Sequence, residues 1–473
     1  MQQTLFNMVQ KALILISTIF LFTTSTFAQQ KQEMFTVDAF IQFVKQFHPL
    51  AKQANLQVDK AAAELLSAKG GFDPALTLET SNKTFDGKNY YYYTNPEVKI
   101  ATPIGVDIKT GLENNGGLFL TEEATAGKTS YLGVEVALAK GLLMDKRRAT
   151  LRQARIFQNQ SEQERLKMIN DLLFDAYVAY WQWAGNYQLF SIYNKFLQIS
   201  TDRLRLVRIA FQNGDRSLMD TVEAFTQVQN FQLLQTEALL KFNNAGLELS
   251  NFLWLQNDSP VLLPKTYVPD TVQFALQTEN QVLDQLITRS TSENPNLRAY
   301  DYKLGALEVE RKLKMQSLLP VFNVKANLLN KDYNVIKGVD AAFLQNNYKF
   351  GVDFKMPLFL REGRGEYKKT QLKIKETNFE LSNKRWETEN KIRYYFNENT
   401  LLSQQITTVQ NMYKNYSLLL KNEELRFSQG ESSLFLVNTR ENKVIESLQK
   451  MVELRIKYFK AKYATEWAAG LLR

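Results

Sequence analysis

Proline placement constrains this chain more than any other feature. All ten prolines lie at positions 49, 74, 96, 103, 260, 264, 269, 295, 320 and 357, so residues 104–259 and 358–473 contain none. A proline inside a helix removes a hydrogen bond and clashes with the preceding turn, so these two stretches are free to be very long helices. Residues 366–429 also lack glycine. At about 1.5 Å per residue they would make a rod roughly 95 Å long.

The apolar pattern on these stretches is narrow. Leu166, Ile169, Leu173, Ala176, Tyr180 and Trp183 follow one another at spacings of 3 or 4, with Glu162, Glu164, Arg165, Lys167 and Asp171 between them. That is a coiled-coil seam, not the wider face of a globular helix. The second stretch is sparser, with Leu372, Phe379 and Trp386 at sevens and Ile374 and Leu381 beside them. Sparse seams on long helices suit an elongated or hollow assembly.

Composition then removes most chemistry. Hydrophobic residues make up 44%, which excludes wholesale disorder. The net charge of +9 is spread over the chain, without the basic runs of a nucleic-acid binder. There is no cysteine and one histidine, so disulfide scaffolds, thiol catalysis, zinc clusters and multi-histidine metal sites drop out, and no cofactor is implied. Residues 1–28 read as a secretory signal: Lys11 supplies the positive charge, Ala12 to Phe22 the apolar run, and Thr26 and Ala28 the small residues before a cut ahead of Gln29.

The chain is internally duplicated. Pro49 and Pro74 recur as Pro295 and Pro320, shifted by 246; Gly133 and Gln153 recur as Gly351 and Gln371, shifted by 218; Phe211, Gly214, Ser217 and Leu218 recur as Phe427, Gly430, Ser433 and Leu434, shifted by 216. The first repeat is expected over 29–265, with a β-hairpin at about 75–139 and long helices at about 143–212 and 216–255. The second is expected over 266–473, with a β-hairpin at about 321–357 and helices at about 365–428 and 433–470. The drop from 246 to 218 gives the first copy 28 extra residues between Pro74 and Gly133.

Within the hairpin segments the period changes to 2. Phe322, Val324, Ala326 and Leu328 alternate with Asn323, Lys325 and Asn327; Tyr348, Phe350, Val352, Phe354 and Met356 alternate with Lys349, Gly351, Asp353 and Lys355. Leu76 and Leu78, and Leu132, Val134, Val136 and Leu138, do the same in the first copy. The extra 28 residues hold a further alternation at Val98, Ile100, Val106 and Ile108, either an added hairpin or a long loop. Strands of this length in an exported chain, with Tyr131 and Tyr348 expected at strand ends, fit a membrane-spanning sheet with open edges that need a partner.

Each copy thus reads helix, hairpin, very long helix, G-x-x-S turn and long return helix. In this order, and in the Phe211, Gly214, Ser217, Leu218, Asp220 and Ala224 stretch with its partner Phe427, Gly430, Ser433 and Leu434, the chain resembles the TolC-type outer membrane efflux proteins. The resemblance implies an α+β membrane protein: a homotrimer whose 12-stranded β-barrel, four strands per chain, sits in outer membrane lipid and continues into a periplasmic α-helical tube. It implies a duct for efflux or type I secretion, working passively with a periplasmic adaptor and an inner-membrane pump. Drug, metal and protein export share this architecture. A periplasmic coiled-coil adaptor or scaffold that never spans the membrane is the alternative, and it would normally carry one helical hairpin between small β-domains.

Particular residues follow from this frame. Phe211, Gly214, Ser217, Leu218, Phe427, Gly430, Ser433 and Leu434 would form the docking tip. Arg216, Asp220 and Glu223 would hold it closed, whereas Leu436 and Thr439 stand where the second copy lacks carboxylates. Glu135, Lys325, Asp353 and Lys355 would line the lumen. His48, before Pro49, and Asn294, before Pro295, read as helix N-caps, and the Asp145 to Arg148 run as the solvated start of a long helix.

Overall fold

The computed structural model describes residues 33–275, 282–333 and 346–473; the signal segment lies outside them. Nine helices dominate what is described. A short strand β1 (Glu33–Phe35) leads into α1 (Val37–Phe47) and α2 (Pro49–Lys69). Strands β2 (Ala75–Phe85), β3 (Lys88–Ala101), β4 (Val106–Gly116) and β5 (Gly127–Ala137) follow, then the long pair α3 (Lys146–Gln212) and α4 (Leu218–Ser250). The second half runs β6 (Tyr267–Pro269), α5 (Thr271–Ala275), α6 (Leu283–Glu293), α7 (Pro295–Gln316), β7 (Val321–Lys331), β8 (Tyr348–Lys355), α8 (Arg361–Ser428) and α9 (Leu434–Ala469). The 67 residues of α3 and 68 of α8 each span roughly 100 Å.

The expected N-caps are present. The His48 imidazole accepts from the Leu50 amide and the Asn294 side chain from the Asn296 amide, with Pro49 and Pro295 at the first helical positions. Asp145 caps α3 through the Arg148 amide. Arg148 is not solvated: it is buried, donates to the Gly141 and Leu142 carbonyls and pairs with Asp145, stitching the last strand of the first half to α3.

The helices pack as two antiparallel hairpins, α3 with α4 and α8 with α9, with α2 and α7 lying along α3. Their main core is an aromatic belt around Tyr180, Trp181 and Trp183 of α3, joined by Phe40, Phe274 and Phe459. The Trp181 and Phe459 rings stack at 3.8 Å, and the Tyr180 hydroxyl donates to the Phe35 carbonyl. Burying each such side chain contributes roughly 1.5–3 kcal/mol. Leu173, Ala176, Tyr180 and Trp183 of the α3 seam are buried here. The α8 stripe behaves differently. Leu372, Phe379 and Trp386 are exposed, and the face turned to the chain's own helices carries Thr370, Thr377, Leu381, Thr388 and Ile392. A period of seven locates a stripe without saying what covers it.

One sheet contains six strands in the order β2-β3-β4-β5-β7-β8, all antiparallel. This corrects the four strands per chain that the resemblance implies, because the extra segment of the first copy forms the hairpin β3–β4. Strand order follows chain order, so β2 to β5 and β7 to β8 are joined by local connections, whereas β5 reaches β7 only after the helices between Lys146 and Gln316. Among the described residues no helix is long and apolar enough to cross a membrane.

Candidate functional site

The two ends of the molecule carry the candidate residues. At the sheet end, register sorts side chains by face. Cross-strand partners Leu78 and Pro96, Val98 and Thr110, Ile108 and Val134, Val134 and Ala326, and Val324 and Val352 share one face. Glu97 opposite Gly111, Asp107 opposite Glu135, Glu135 opposite Lys325 and Asp353 opposite Asn323 share the other. The polar face is charge-matched: Lys109 to Glu135 at 2.6 Å, Lys99 to Asp107 at 3.0 Å, Arg147 to Asp107 at 2.9 Å and Lys325 to Asp353 at 2.6 Å. The expected lumen residues Glu135, Lys325, Asp353 and Lys355 therefore lie on one face, with Glu135, Lys325 and Asp353 in ion pairs. The opposite face leaves Val134, Phe350, Val352 and Phe354 exposed, an apolar surface that none of the described residues covers. Tyr131 departs from the expectation for it: it sits mid-strand in β5, on the polar face, and its hydroxyl donates to Glu97.

At the helical end two turns reverse the hairpins. Gly214 and Gly430 have φ of 83° and 81°, the left-handed conformation that glycine adopts without a Cβ penalty. In each, the residue after the glycine bonds back five positions, Asp215 N–H to the Ala210 carbonyl and Glu431 N–H to the Arg426 carbonyl, closing a Schellman motif. Ser217 and Ser433 cap the returning helices. Asp220 completes a capping box with Ser217, so within this chain its carboxylate serves its own turn.

Arg216 and Glu223 reach across. The Arg216 guanidinium lies 4.1 Å from the Phe427 ring centroid and donates to the Phe427 carbonyl, and Glu223 accepts from Asn438. Of the residues expected at the docking surface, Phe211, Gly214, Ser217, Leu218, Gly430 and Ser433 are exposed. Leu434 is fully buried with Leu204, Val207 and Ala224 in the tip's small core, and Phe427 packs against that core, half-buried. The second turn lacks carboxylates at Leu436 and Thr439 but obtains one from the helix before it: Glu423, buried, accepts from Ser432 and lies 3.9 Å from both Arg426 and Arg440.

No protein-family model matches the chain, and no curated protein matches it in sequence. Solved structures do resemble it. CmeC, the outer membrane channel of Campylobacter jejuni, matches at a TM-score of 0.63 and 14% identity, covering 92% of this chain and 86% of that one. CusC, described for its transmembrane channel formation, matches at 0.65 and 13%, covering 92% and 91%. The open-state MtrE outer membrane channel of Neisseria gonorrhoeae matches at 0.64 and 12%, covering 92% and 89%. The chain has the TolC-type outer membrane channel fold.

Within this channel fold the chain carries an ion cluster that reading the sequence missed. Arg203 of α3 makes a two-pronged contact to Glu441 of α9, at 2.9 and 2.8 Å, and also approaches Glu424 at 3.4 Å. Gln227 of α4 donates to Glu441 and Asn442, and Glu424 belongs to α8, so four helices meet here. Burial disfavours the Arg203 charge, but its bonds to Glu441 and the field of that carboxylate outweigh it and raise the guanidinium pKa. Burial pushes the Glu424 carboxyl up, partly opposed by Arg203. The signal was available: Leu434, Val437, Val444, Leu448 and Met451 form an apolar seam of threes and fours, and Glu441 stands on it. A carboxylate on a buried seam implies a buried cation opposite.

Proposed function

We propose that this protein is the outer membrane export duct of a tripartite efflux or type I secretion system. Three copies close their sheets into a barrel in outer membrane lipid and continue as a helical tube through the periplasm. The duct conducts passively; a periplasmic adaptor docks on the turns at Gly214 and Gly430 and brings cargo from an inner-membrane pump. Arg216 and Glu223 hold neighbouring hairpins together at the tip, and Glu135, Lys325, Asp353 and Lys355 face the water-filled passage.

The observation that carries this reading is the sheet. One face is apolar and uncovered, the other charge-matched, and both edges are open. Lipid takes the first, a lumen the second, and a further copy of the chain the third, because unpaired backbone groups cannot remain in hydrocarbon. A periplasmic adaptor or scaffold leaves that apolar face without a partner. The experiment is fractionation followed by mass determination in detergent: outer membrane recovery as a heat-sensitive trimer is expected, and a soluble periplasmic chain, or a monomer with full β-content, overturns the reading.

A further inference from the structure

We infer that the membrane wall is built from six strands of each chain, so that the trimer of the proposed duct closes an 18-stranded barrel (three times six) in which β8 of one copy pairs with β2 of the next. The inference rests on the duct reading and refines it.

The hairpin β3–β4 is an insertion by position. The shifts of 246 and 218 carry β2 onto β7 and β5 onto β8, and in the second copy those two strands pair directly: Phe322 opposite Phe354, Val324 opposite Val352. Transferred to the first copy, the same register would set Leu78 opposite Val134. Instead Leu78 faces Pro96 of β3, and Val134 faces Ile108 of β4.

Three features make the insertion part of the wall. Its alternation matches that of its neighbours, with Val98, Ile100, Val106, Ile108 and Leu112 on the apolar face and Glu97, Lys99, Asp107, Lys109 and Glu113 on the charged one. Its inner turn is anchored to the start of the tube, where Gly105 packs against the Arg148 guanidinium and Arg147 pairs with Asp107. Finally, Tyr131 of β5 reaches over Gly111 of β4 to its Glu97 partner on β3. A Cβ at Gly111 would come within 2.6 Å of the Tyr131 hydroxyl oxygen, so the three-strand tie depends on that glycine.

The edges fit closure. β2 leaves the helices and β8 returns to them, so an even number of strands brings the two together antiparallel, the pairing used throughout the sheet. All of β2 and nearly all of β8 are exposed in the single chain. Barrel diameter grows about linearly with strand number, so eighteen strands give a bore roughly 1.5-fold wider than twelve. The narrow point for cargo then lies in the tube or at its tip.

The chain has no native cysteine, so paired cysteines report unambiguously. Ile108→Cys with Val134→Cys, oxidised in outer membranes by a membrane-permeant copper complex, is expected to form an intrachain disulfide, and Leu78→Cys with Val134→Cys is expected to stay reduced. The reverse result overturns the six-strand wall. Electron cryomicroscopy of the unmodified trimer provides a count independent of any variant. Eighteen strands support the inference; a trimer with twelve overturns it and leaves the duct reading standing; a monomer overturns both.

Discussion

Removing the Glu441 carboxylate while leaving Arg203 in place is the most informative single change in the tube. In the intact pair the charge centres lie about 4 Å apart, where an effective dielectric near 20 gives an attraction of about 4 kcal/mol. Taking two ions out of water costs several kcal/mol each, so the pair contributes little net stability. Deleting one partner is different. Glu441 is 1% exposed and the Arg203 side chain 13%, so Glu441→Leu strands a buried guanidinium with Asn438 and the more distant Glu424. Breaking a buried pair typically costs about 3–5 kcal/mol, and the Glu424 fallback places this case near the lower end, at about 3.

The trimer of the proposed duct would not unfold in two states, so the cost is read locally, by hydrogen exchange at amides of residues 200–210 and 434–448. At tenfold per 1.4 kcal/mol, exchange there should accelerate about 100-fold in Glu441→Leu while the belt around Trp181 is unchanged. Adding Arg203→Met removes the stranded charge and should restore protection to near the original level. If the single and double variants exchange alike, the cost is lost packing and the electrostatic argument fails.

Three further outcomes are expected. Val352→Arg, on the uncovered sheet face, should cost about 2–4 kcal/mol and abolish trimer recovery, whereas Asp353→Asn on the charged face should assemble; equal defects would mean the faces are assigned wrongly. His48 accepts a hydrogen bond at its helix cap, and burial, only partly offset by its bond to the Asn251 backbone, holds its pKa below the usual 6.5. The neutral form is thus the folded one, its contribution is full above about pH 6.5 and is lost as the pH falls, and His48→Asn, copying the Asn294 cap, should flatten the fall in hydrogen-exchange protection at α2, corrected for the intrinsic rate, below that pH. An unchanged slope removes His48 as its source. Arg216→Ala deletes a half-buried contact worth about 1 kcal/mol, too little to reduce trimer yield but enough to shift a closed and open equilibrium several-fold, so single-channel conductance should rise; unchanged conductance ends the gate assignment.

The helices, their caps and their glycine turns were legible because each depends on local chemistry. Pro49 and Pro295 after capping residues, and Gly214 and Gly430 followed by Ser217 and Ser433, force one geometry wherever they occur. The sheet was legible only where alternation was uninterrupted. In β3 the run Tyr90 to Tyr93 hides the period, because tyrosine suits either face, and Pro96 and Pro103 suggest breaks where the chain places one residue inside β3 and another at the turn after it. Tyr131 shows the same ambiguity: an aromatic belt and a tyrosine lying over Gly111 look identical in sequence. The tip carboxylate was sought after Gly430, at Leu436 and Thr439, but Glu423 supplies it from about two helical turns before that glycine, since residues on the outgoing helix near a reversal and those after it converge in space. Glu441 is the exception, legible by its place on an apolar seam.

The exposed stripes and open edges of the single chain address one requirement. Among the described residues, Leu233, Leu240 and Leu247 on α4 and Leu372, Phe379 and Trp386 on α8 are uncovered along the helices, and the outer edges of β2 and β8 are unpaired, so in the proposed trimer a single rotation that brings copies together would cover both. In the proposed trimer, closing the barrel would therefore bring the tube walls into contact, and neither end would be completed without the other. The tip stands apart from this coupling. Its core is four buried residues, Leu204, Val207, Ala224 and Leu434, against the extended aromatic belt at mid-height. Local opening draws on the region with the fewest buried apolar contacts, so the hairpin ends can spread at a cost of a few kcal/mol while the belt and wall hold. In the proposed duct, charges at that end, Arg216, Glu223 and the buried Arg203–Glu441 pair, would set how far the equilibrium lies toward closed, and an adaptor that bound the spread hairpins better would need to supply only the difference.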